Sequence, residues 1–209
     1  KFFGNPGSVH EEGRRARECL EEARGGVAEV LSVKKDEGIF TSGGTESNNL
    51  AILGFARYLK RERGSLTDVH FITSAIEHPS VLECFKEIEI EGGNVTYLVP
   101  DSEGYIHESA IADAVTDKTV FISLGYVHGE IGVVLPIRAL ALAAREKKAS
   151  LSEVPLVIHT DASQAPLYFD VTPHTLSVDL LTLDALKAGG PKGAGVLFKK
   201  HAVRLRPIM

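Results

Sequence analysis

Short apolar runs alternate with longer amphipathic segments along almost the whole chain. The short runs resemble buried β-strands, and the longer segments repeat apolar residues at α-helical spacing. This alternation predicts an α/β fold, a mostly parallel sheet with helices on both faces. The predicted strands span residues 39–40, 70–73, 95–99, 120–124, 156–159, 180–183 and 196–198, the last one antiparallel. The predicted helices span residues 9–31 (capped by Ser8), 47–61, 79–90, 109–115 and 137–147, and a surface loop is predicted over 147–155.

The composition is that of a folded protein with a sizeable core. Of the 209 residues, 44% are hydrophobic and 24% are charged, which suits one large domain or a domain and a half. The net charge is −5 and there is no basic tract, so nucleic acid is not an expected partner.

The cysteines and the chain ends bear on where the protein works. Cys19 and Cys84 are too far apart in sequence to indicate a disulfide framework or a zinc site, so a reduced, cytoplasmic setting is expected. No apolar stretch is long enough to span a membrane, and the N-terminus lacks the apolar run of a signal peptide. The chain starts without Met and its last residues resemble a continuing strand or loop, so we expect a fragment of a longer protein.

Two predicted strands in the last third of the chain end in polar residues. The first leads into Thr160, Asp161 and Gln164, and the second into Asp184 and Lys187. Groups at the carboxyl ends of parallel strands point into the ligand crevice of an open sheet. A lysine there can form a Schiff base with an aldehyde, and an acid can keep a pyridinium nitrogen protonated, which suits pyridoxal 5'-phosphate (PLP). Acids and lysines also end strands without any catalytic role, and that alternative stays open.

The segment TSGGTE, residues 41–46, lies between a predicted strand and a predicted helix. Small residues let the backbone approach an anion, and a helix start offers free N–H groups. The segment therefore suggests a phosphate cradle in which Gly44 and Thr45 are the donors. An ordinary capped helix with a glycine turn explains the same residues equally well, since they match neither a Walker loop nor a GxGxxG fingerprint.

His78 lies between a predicted strand and a predicted helix in SAIEHPS. An imidazole there could stack on a flat ring and move protons, or it could be a purely structural hydrogen-bonding group. Cys19 falls on the apolar face of a helix, which predicts a buried residue, and Cys84 lies on the helix after His78. Neither thiol has the electropositive, accessible surroundings of a catalytic cysteine, and no metal site is predicted.

Taken in order, the segments FGNPGSVH, FTSGGTESNNLAI, ITSAIEHPSVLE, HTDASQ and LKAGGPKG resemble the cysteine desulfurases. These are class V aminotransferase-like, fold-type I PLP enzymes. The resemblance covers nearly all of the chain, but only the middle part of a family member. It implies that residues 1–209 are part of the PLP-binding large domain, and that an N-terminal segment and a C-terminal domain lie outside them.

The resemblance implies a role for each matching residue. Lys187 forms the Schiff base, Asp161 pairs with the pyridinium nitrogen, and Gln164 donates a hydrogen bond to the ring hydroxyl oxygen. His78 stacks over the ring and transfers protons, and residues 44–45 hold the phosphate.

The family reaction takes sulfur from L-cysteine and leaves alanine and an enzyme persulfide, which serves iron–sulfur cluster assembly or tRNA thiolation. PLP is the electron sink, and Lys187 removes the α proton of the substrate. A cysteine on a mobile loop attacks the substrate sulfur, and this loop is expected beyond Met209. The family site lies at a dimer interface, so the resemblance implies a homodimer and a sulfur-acceptor protein as partners.

The chain departs from the family pattern at several positions. His128 and Gly129 replace a pair of asparagines, and Gly189 replaces an aromatic residue. Asp184 and Leu186 replace a serine and a histidine that bind the phosphate, so like-charge repulsion and the loss of donors predict weak PLP binding. Two alternatives therefore stay open. One is a non-catalytic or altered paralogue with the same fold, and the other is another class V enzyme, such as a selenocysteine lyase or an aminotransferase.

Overall fold

The computed structural model describes residues 3–208, which divide into two compact units. The first unit ends at Gly38 and the second begins at Ile39. Both ends of the predicted domain, residues 1–2 and 209, lie outside the described residues. Every residue proposed above for cofactor binding or catalysis belongs to the second unit.

The first unit consists mainly of helix α1 (Glu11–Leu31). Its N-cap is His10, whose Nδ1 accepts a hydrogen bond from the backbone N–H of Gly13 at 3.2 Å. Ser8, the predicted cap, belongs instead to the preceding turn, where its N–H donates to the carbonyl of Asn5 at 2.9 Å. An imidazole nitrogen thus does what a serine hydroxyl was expected to do.

The apolar face predicted for α1 is only partly buried. Ala16 and Leu31 are buried, but Val30 is 71% exposed and Cys19 is half-buried, so the prediction of a buried Cys19 was wrong. Within its own unit, α1 packs against a one-turn 3-10 helix, Lys35–Glu37. That element is too short to cover a helix of 21 residues.

Apart from Gly38, the first residue of β1, the sheet belongs to the second unit. Its strands are β1 (Gly38–Thr41), β2 (His70–Ser74), β3 (Asn94–Leu98), β4 (Thr119–Gly125), β5 (Val157–Asp161), β6 (Leu180–Asp184) and β7 (Gly195–Lys199). Their order across the sheet is β1-β7-β6-β5-β4-β2-β3. The pairs β2–β3, β2–β4, β4–β5 and β5–β6 are parallel, and β6–β7 is antiparallel. The predicted α/β class is confirmed, including its antiparallel last strand.

The helices of the second unit are α2 (Gly44–Arg63), α3 (Pro79–Ile90), α4 (Glu108–Ala114), α5 (Ile137–Leu151) and α6 (Pro173–Leu176). A one-turn 3-10 helix, Leu186–Ala188, follows β6. The single turn of α6 was not predicted, because four residues are too few for a periodic pattern. None of the described helices is both long and apolar enough to cross a membrane.

Helix α5 continues to Leu151, so the prediction of a surface loop over residues 147–155 was wrong for its first half. Lys148 is only 3% exposed, and its Nζ donates a hydrogen bond to the backbone oxygen of Asp117 at 2.6 Å. This bond and the burial of the lysine stem stabilise the last turns of the helix.

The core on one face of the sheet is centred on Phe121 of β4. Its ring lies 5.1 Å from that of Phe55 on α2 and 6.5 Å from that of Phe85 on α3, measured between centroids. Truncating a buried ring of this kind to alanine typically costs about 3–5 kcal/mol. The face predicted for α2 included Leu53 and Tyr58, which are instead partly buried at the margin of this cluster.

Candidate active site

A cavity of about 670 Å³ lies at the carboxyl ends of the parallel strands β4, β5 and β6. The last residues of these strands, Gly125, Asp161 and Asp184, contribute to its wall. This is where an open parallel sheet places its ligand crevice. The cavity also brings together all the site residues selected from the sequence, which are Gly44, Thr45, His78, Asp161, Gln164 and Lys187.

Asp161 is held by two hydrogen bonds at the end of β5. Its Oδ2 accepts from Nδ2 of Asn48 at 2.7 Å, and its Oδ1 accepts from the backbone N–H of Ser163 at 2.9 Å. Asn48, near the start of α2, is only 1% exposed. The two bonds restrict the carboxylate to one orientation on the cavity wall.

Lys187 lies on the 3-10 helix Leu186–Ala188 and contributes to the same wall. The turn ends at Gly189, whose φ of 76° is a left-handed conformation that glycine adopts without steric cost. The next residue, Gly190, donates its N–H to the carbonyl of Ala185 at 2.7 Å. Within residues 3–208, the Nζ of Lys187 has no hydrogen-bond or ion-pair partner, which leaves the amine available to a ligand.

Helix α2 starts at Gly44, on the cavity wall. Its N-cap, Gly43, has a φ of 152°, a conformation that residues other than glycine rarely adopt. Strand β7 approaches closely, since a Cβ on Gly195 would stand 2.6 Å from the Cα of Gly43. Thr45 is exposed beside this turn. The predicted glycine turn is therefore the start of α2, and its lack of a side chain at Gly43 lets β7 pack closely against it.

Asp184 is directed at this helix start. Its Oδ2 accepts a hydrogen bond from the N–H of Gly44 at 3.1 Å, and its Oδ1 accepts from the N–H of Leu186 at 2.9 Å. A carboxylate is stabilised by the partial positive charge at a helix N-terminus. The carboxylate that we expected to repel a phosphate therefore already accepts a hydrogen bond from Gly44, one of the two donors predicted for that phosphate.

His78 is the N-cap of α3 and is exposed on the cavity wall. Its Nδ1 accepts from the N–H of Ser80 at 3.1 Å and lies 2.7 Å from Oγ of the same serine. Because Nδ1 is an acceptor, the neutral ring carries its proton on Nε2. Oγ of Ser80 also lies 3.0 Å from Nδ2 of Asn48, the group that holds Asp161.

Glu77 is a cavity residue that was not selected from the sequence. It is 5% exposed, and its Oε1 accepts from Oγ of Ser74 at 2.6 Å and from the N–H of Gly125 at 2.9 Å. Burial, and to a lesser extent the nearby carboxylate of Asp161, raise the pKa of Glu77 to about 7 against the effect of the two hydrogen bonds. Its position next to His78, directly after a buried strand, is the one sequence signal that pointed to it.

Gln164 packs against Gly129, one of the departures from the family pattern. A Cβ at residue 129 would stand 2.8 Å from Nε2 of Gln164, so glycine leaves room for this amide. The neighbouring His128 has a buried Nε2 without a hydrogen-bond partner among residues 3–208. Burial lowers the pKa of His128, and the charge of Asp161 partly opposes this shift.

His159 lies inside the sheet, next to the site rather than on its wall. Its Nδ1 is 2.8 Å from Oγ of Ser123 on β4, and its Nε2 is 3.0 Å from Oγ1 of Thr182 on β6. Complete burial lowers its pKa to about 4, so the ring is neutral at physiological pH. It links three strands and adds no charge to the neighbourhood of Asp161.

Neither cysteine contributes to the cavity wall. Cys84 is 2% exposed, its Sγ donates to the backbone oxygen of Ser80 at 3.1 Å, and burial raises its pKa to about 12. A thiol acts as a nucleophile through its thiolate, which this environment disfavours strongly. In the part of the chain that the structure describes, no three His, Cys, Asp or Glu side chains cluster as metal ligands would.

Three buried polar atoms around the cavity lack a hydrogen-bond partner within residues 3–208. They are Oδ1 of Asn48, Nε2 of His128 and Oγ of Ser163. Such atoms are rare in folded proteins and call for a ligand or water as partner. A free amine at Lys187 and an acid at Asp161 suit the aldehyde and the ring nitrogen of PLP, and the three atoms leave unused hydrogen-bonding groups for a polar ligand. The residues therefore fit PLP, except that a carboxylate binds the phosphate cradle.

Several known proteins are similar to this chain. A cysteine desulfurase IscS of Dictyoglomus turgidum is 40% identical over 207 residues, which are 99% of this chain and 50% of that protein. The solved structure of SspA in complex with cysteine matches with a TM-score of 0.89 at 34% identity, covering 100% of this chain and 57% of the other. DndA from Streptomyces lividans gives 0.82 at 39% identity, covering 99% and 56%. The chain spans about half the length of the curated relatives it matches.

A family model agrees with these similarities. The model described as Aminotransferase class-V matches residues 1–209, the whole of the chain. The resemblance to cysteine desulfurases is confirmed by the relatives, and its restriction to part of a family member is confirmed by the share of them that is covered. The chain belongs to the aminotransferase class-V family.

Proposed function

We propose that the full-length protein is a PLP-dependent cysteine desulfurase, which removes sulfur from L-cysteine and leaves alanine and an enzyme persulfide. The observation that supports this most is that Asp161, at the end of β5, and Lys187, just after the neighbouring parallel strand β6, line one cavity. Residues 1–209 are then part of the PLP-binding large domain. The similarity to proteins named cysteine desulfurase supports the choice of substrate.

The proposed roles come from the resemblance to the family, and the contacts of several side chains support them. PLP, when bound, supplies an electron sink for the bonds at the α carbon of the substrate. Lys187 provides the amine for covalent attachment and moves the α proton. Asp161, restrained by Asn48 and Ser163, accepts a hydrogen bond from the ring nitrogen and keeps it protonated.

The remaining site residues hold the ring and the phosphate. The Nδ1 of His78 accepts a hydrogen bond from Ser80, which leaves Nε2 for proton transfer and the face of the imidazole ring for stacking. Gln164 donates to the ring hydroxyl oxygen. Gly44 and Thr45, at the start of α2, donate to the phosphate.

The finer features of the proposal come from the resemblance to the family. The protein acts in the cytoplasm as a homodimer and passes its persulfide to an acceptor protein for iron–sulfur cluster assembly or tRNA thiolation. A cysteine outside residues 1–209 attacks the substrate sulfur. The burial of Cys84 supports this, because its thiolate is strongly disfavoured.

The test is to supply the full-length protein with PLP and L-cysteine and to measure alanine together with sulfide released by a thiol reductant. We expect equal amounts of the two products. Lys187→Ala should bind PLP without covalent attachment and form neither product. Failure of the native protein to form alanine while it holds PLP covalently would contradict the proposed substrate. Selenocysteine and keto acids should then be tried, because a selenocysteine lyase or an aminotransferase would use them.

An altered paralogue without catalytic activity is the second candidate. The observation that favours it is the contact between Asp184 and the N–H of Gly44, which places a carboxylate at the phosphate cradle. This protein would fail to take up PLP at any practical concentration, whereas the enzyme would acquire visible absorbance on titration.

A further inference from the structure

The start of helix α2 is bound by an anionic group of the protein itself. Asp184 reaches the N–H of Gly44 with Oδ2 at 3.1 Å, and the N–H of Leu186 holds its Oδ1 at 2.9 Å. Helix α2 is 20 residues long, and the partial positive charge at its N-terminus favours an anion at this point. Asp184 therefore fills part of the place that a phosphate would take.

The hydroxyl of Ser163 flanks the same place. Its Oγ lies 3.0 Å from the position of a Cβ on Gly44, and Oδ2 of Asp184 lies 3.4 Å from that position. This Oγ is buried and has no partner among residues 3–208. The backbone of Ser163 is fixed, since its N–H donates to Oδ1 of Asp161 at 2.9 Å. An unused hydroxyl donor thus lies beside the helix start, on a residue whose backbone is held in place.

We propose that Asp184 is an internal stand-in for the phosphate at the start of α2, and that Ser163 is the hydroxyl that binds this phosphate when Asp184 turns away. The inference rests on the proposed function. Residues 184 and 186 then do not simply lose two phosphate donors. Asp184 leaves the N–H of Gly44 and Ser163 binds the phosphate that takes its place. Ser163, in the loop that follows β5, supplies a donor that residues 184 and 186 lack.

This exchange has a distinct consequence for two related ligands. PLP must displace the carboxylate of Asp184 from the N–H of Gly44, so its affinity includes the cost of that displacement. Pyridoxal has the same ring and aldehyde but no phosphate, so it leaves Asp184 in place. The ratio of the pyridoxal dissociation constant to the PLP dissociation constant therefore measures the phosphate site separately from Lys187 and the ring contacts.

The experiment titrates the full-length protein with PLP and, separately, with pyridoxal, and follows the visible absorbance of the bound compound. Ser163→Ala should lower the dissociation-constant ratio about tenfold, the expected effect of one hydrogen bond to a charged group. Ser163→Thr keeps the hydroxyl and should retain the ratio. Asp184→Asn removes the charge and keeps one acceptor oxygen, for the N–H of Gly44 or of Leu186, and it should raise the ratio about tenfold.

The outcomes separate this inference from the proposed function. Binding of neither compound to the native protein defeats the proposed function. Binding of both compounds with the same ratio in Ser163→Ala, or in Asp184→Asn, overturns the exchange and leaves the proposed function standing. A second measurement needs no covalent attachment. Inorganic phosphate should raise the melting temperature of Asp184→Asn more than that of the native protein, and equal shifts would also overturn the exchange.

Discussion

The Nδ2 of Asn48 lies 2.7 Å from Oδ2 of Asp161, a residue 113 positions away in the sequence. The same nitrogen lies 3.0 Å from Oγ of Ser80, which lies 2.7 Å from Nδ1 of His78. One buried amide thus holds both the acid proposed for the ring nitrogen and, through Ser80, the imidazole proposed for the ring face. Fixing both groups before a ligand binds reduces the cost of binding it.

Asn48→Ala should lower the free energy of unfolding by about 1–3 kcal/mol, because Asp161 and Ser80 lose their buried hydrogen-bond donor. It should also weaken PLP binding. Asn49→Ala is the neighbouring control, since the Nδ2 of Asn49 donates to the backbone oxygens of Thr45 at 2.9 Å and of Ser80 at 3.4 Å, and not to Asp161. Urea unfolding and PLP titration of the full-length protein measure both effects. Equal losses in the two variants would show that the Asn48 contact is unimportant.

Glu77 should make stability depend on pH. Its pKa rises from an ordinary value of 4.5 to about 7 in the folded protein, which therefore binds this proton more tightly than the unfolded chain. The contribution of Glu77 to stability is fully present below about pH 4.5, falls as the pH rises through about 7, and is constant above that. The total fall is on the order of 3 kcal/mol.

Glu77→Gln should remove this fall, because glutamine keeps an oxygen for Ser74 and Gly125 but cannot ionise. The measurement is the free energy of unfolding at pH 5 and at pH 8. Glu130→Gln, an exposed position on the same cavity wall, is the control and should behave like the native protein. The same difference between the two pH values in Glu77→Gln would assign the pH dependence to another group.

Replacement by alanine should lower the stability of the protein by different amounts at Gly195 and at Gly129. A Cβ on Gly195 meets the Cα of Gly43 at 2.6 Å, and two closely packed backbone segments must separate, so Gly195→Ala should destabilise by about 1–3 kcal/mol. A Cβ on Gly129 meets the mobile end of Gln164 at 2.8 Å, which can rotate away at little cost. Gly129→Ala should therefore lose less stability but move Gln164. Thermal unfolding of the two variants tests the order, and a larger loss at Gly129 would contradict it.

Cys84→Ser should leave sulfur release from L-cysteine unchanged. The thiol is buried with its pKa raised to about 12, and a serine hydroxyl can keep the bond to the backbone oxygen of Ser80. The measurement is sulfide release by the full-length protein with PLP. Turnover abolished by this substitution, in a variant that remains folded, would identify Cys84 as the nucleophile.

Much of the fold could be predicted because its signals are local. Apolar runs such as that of β5 and the helical spacing in α3 depend on near neighbours in the sequence, and α3 was predicted with its observed limits. The predicted end of α5 was wrong because a contact between residues far apart in sequence determines where this helix ends. The last turns of α5 persist because Lys148 binds Asp117, and no residue in that segment indicates it.

The sequence by itself determined which chemical groups end the strands or follow them, such as Asp161 and Lys187, because strand ends follow from the apolar pattern and a parallel sheet aligns them. Only the tertiary structure decided which groups engage one another. Asp184 reaches Gly44 across 140 positions, and Glu77 reaches Gly125 across 48. The physical reason is that burial and hydrogen-bond geometry depend on distances in space, which set the pKa of Glu77 and direct Asp184 to the helix start.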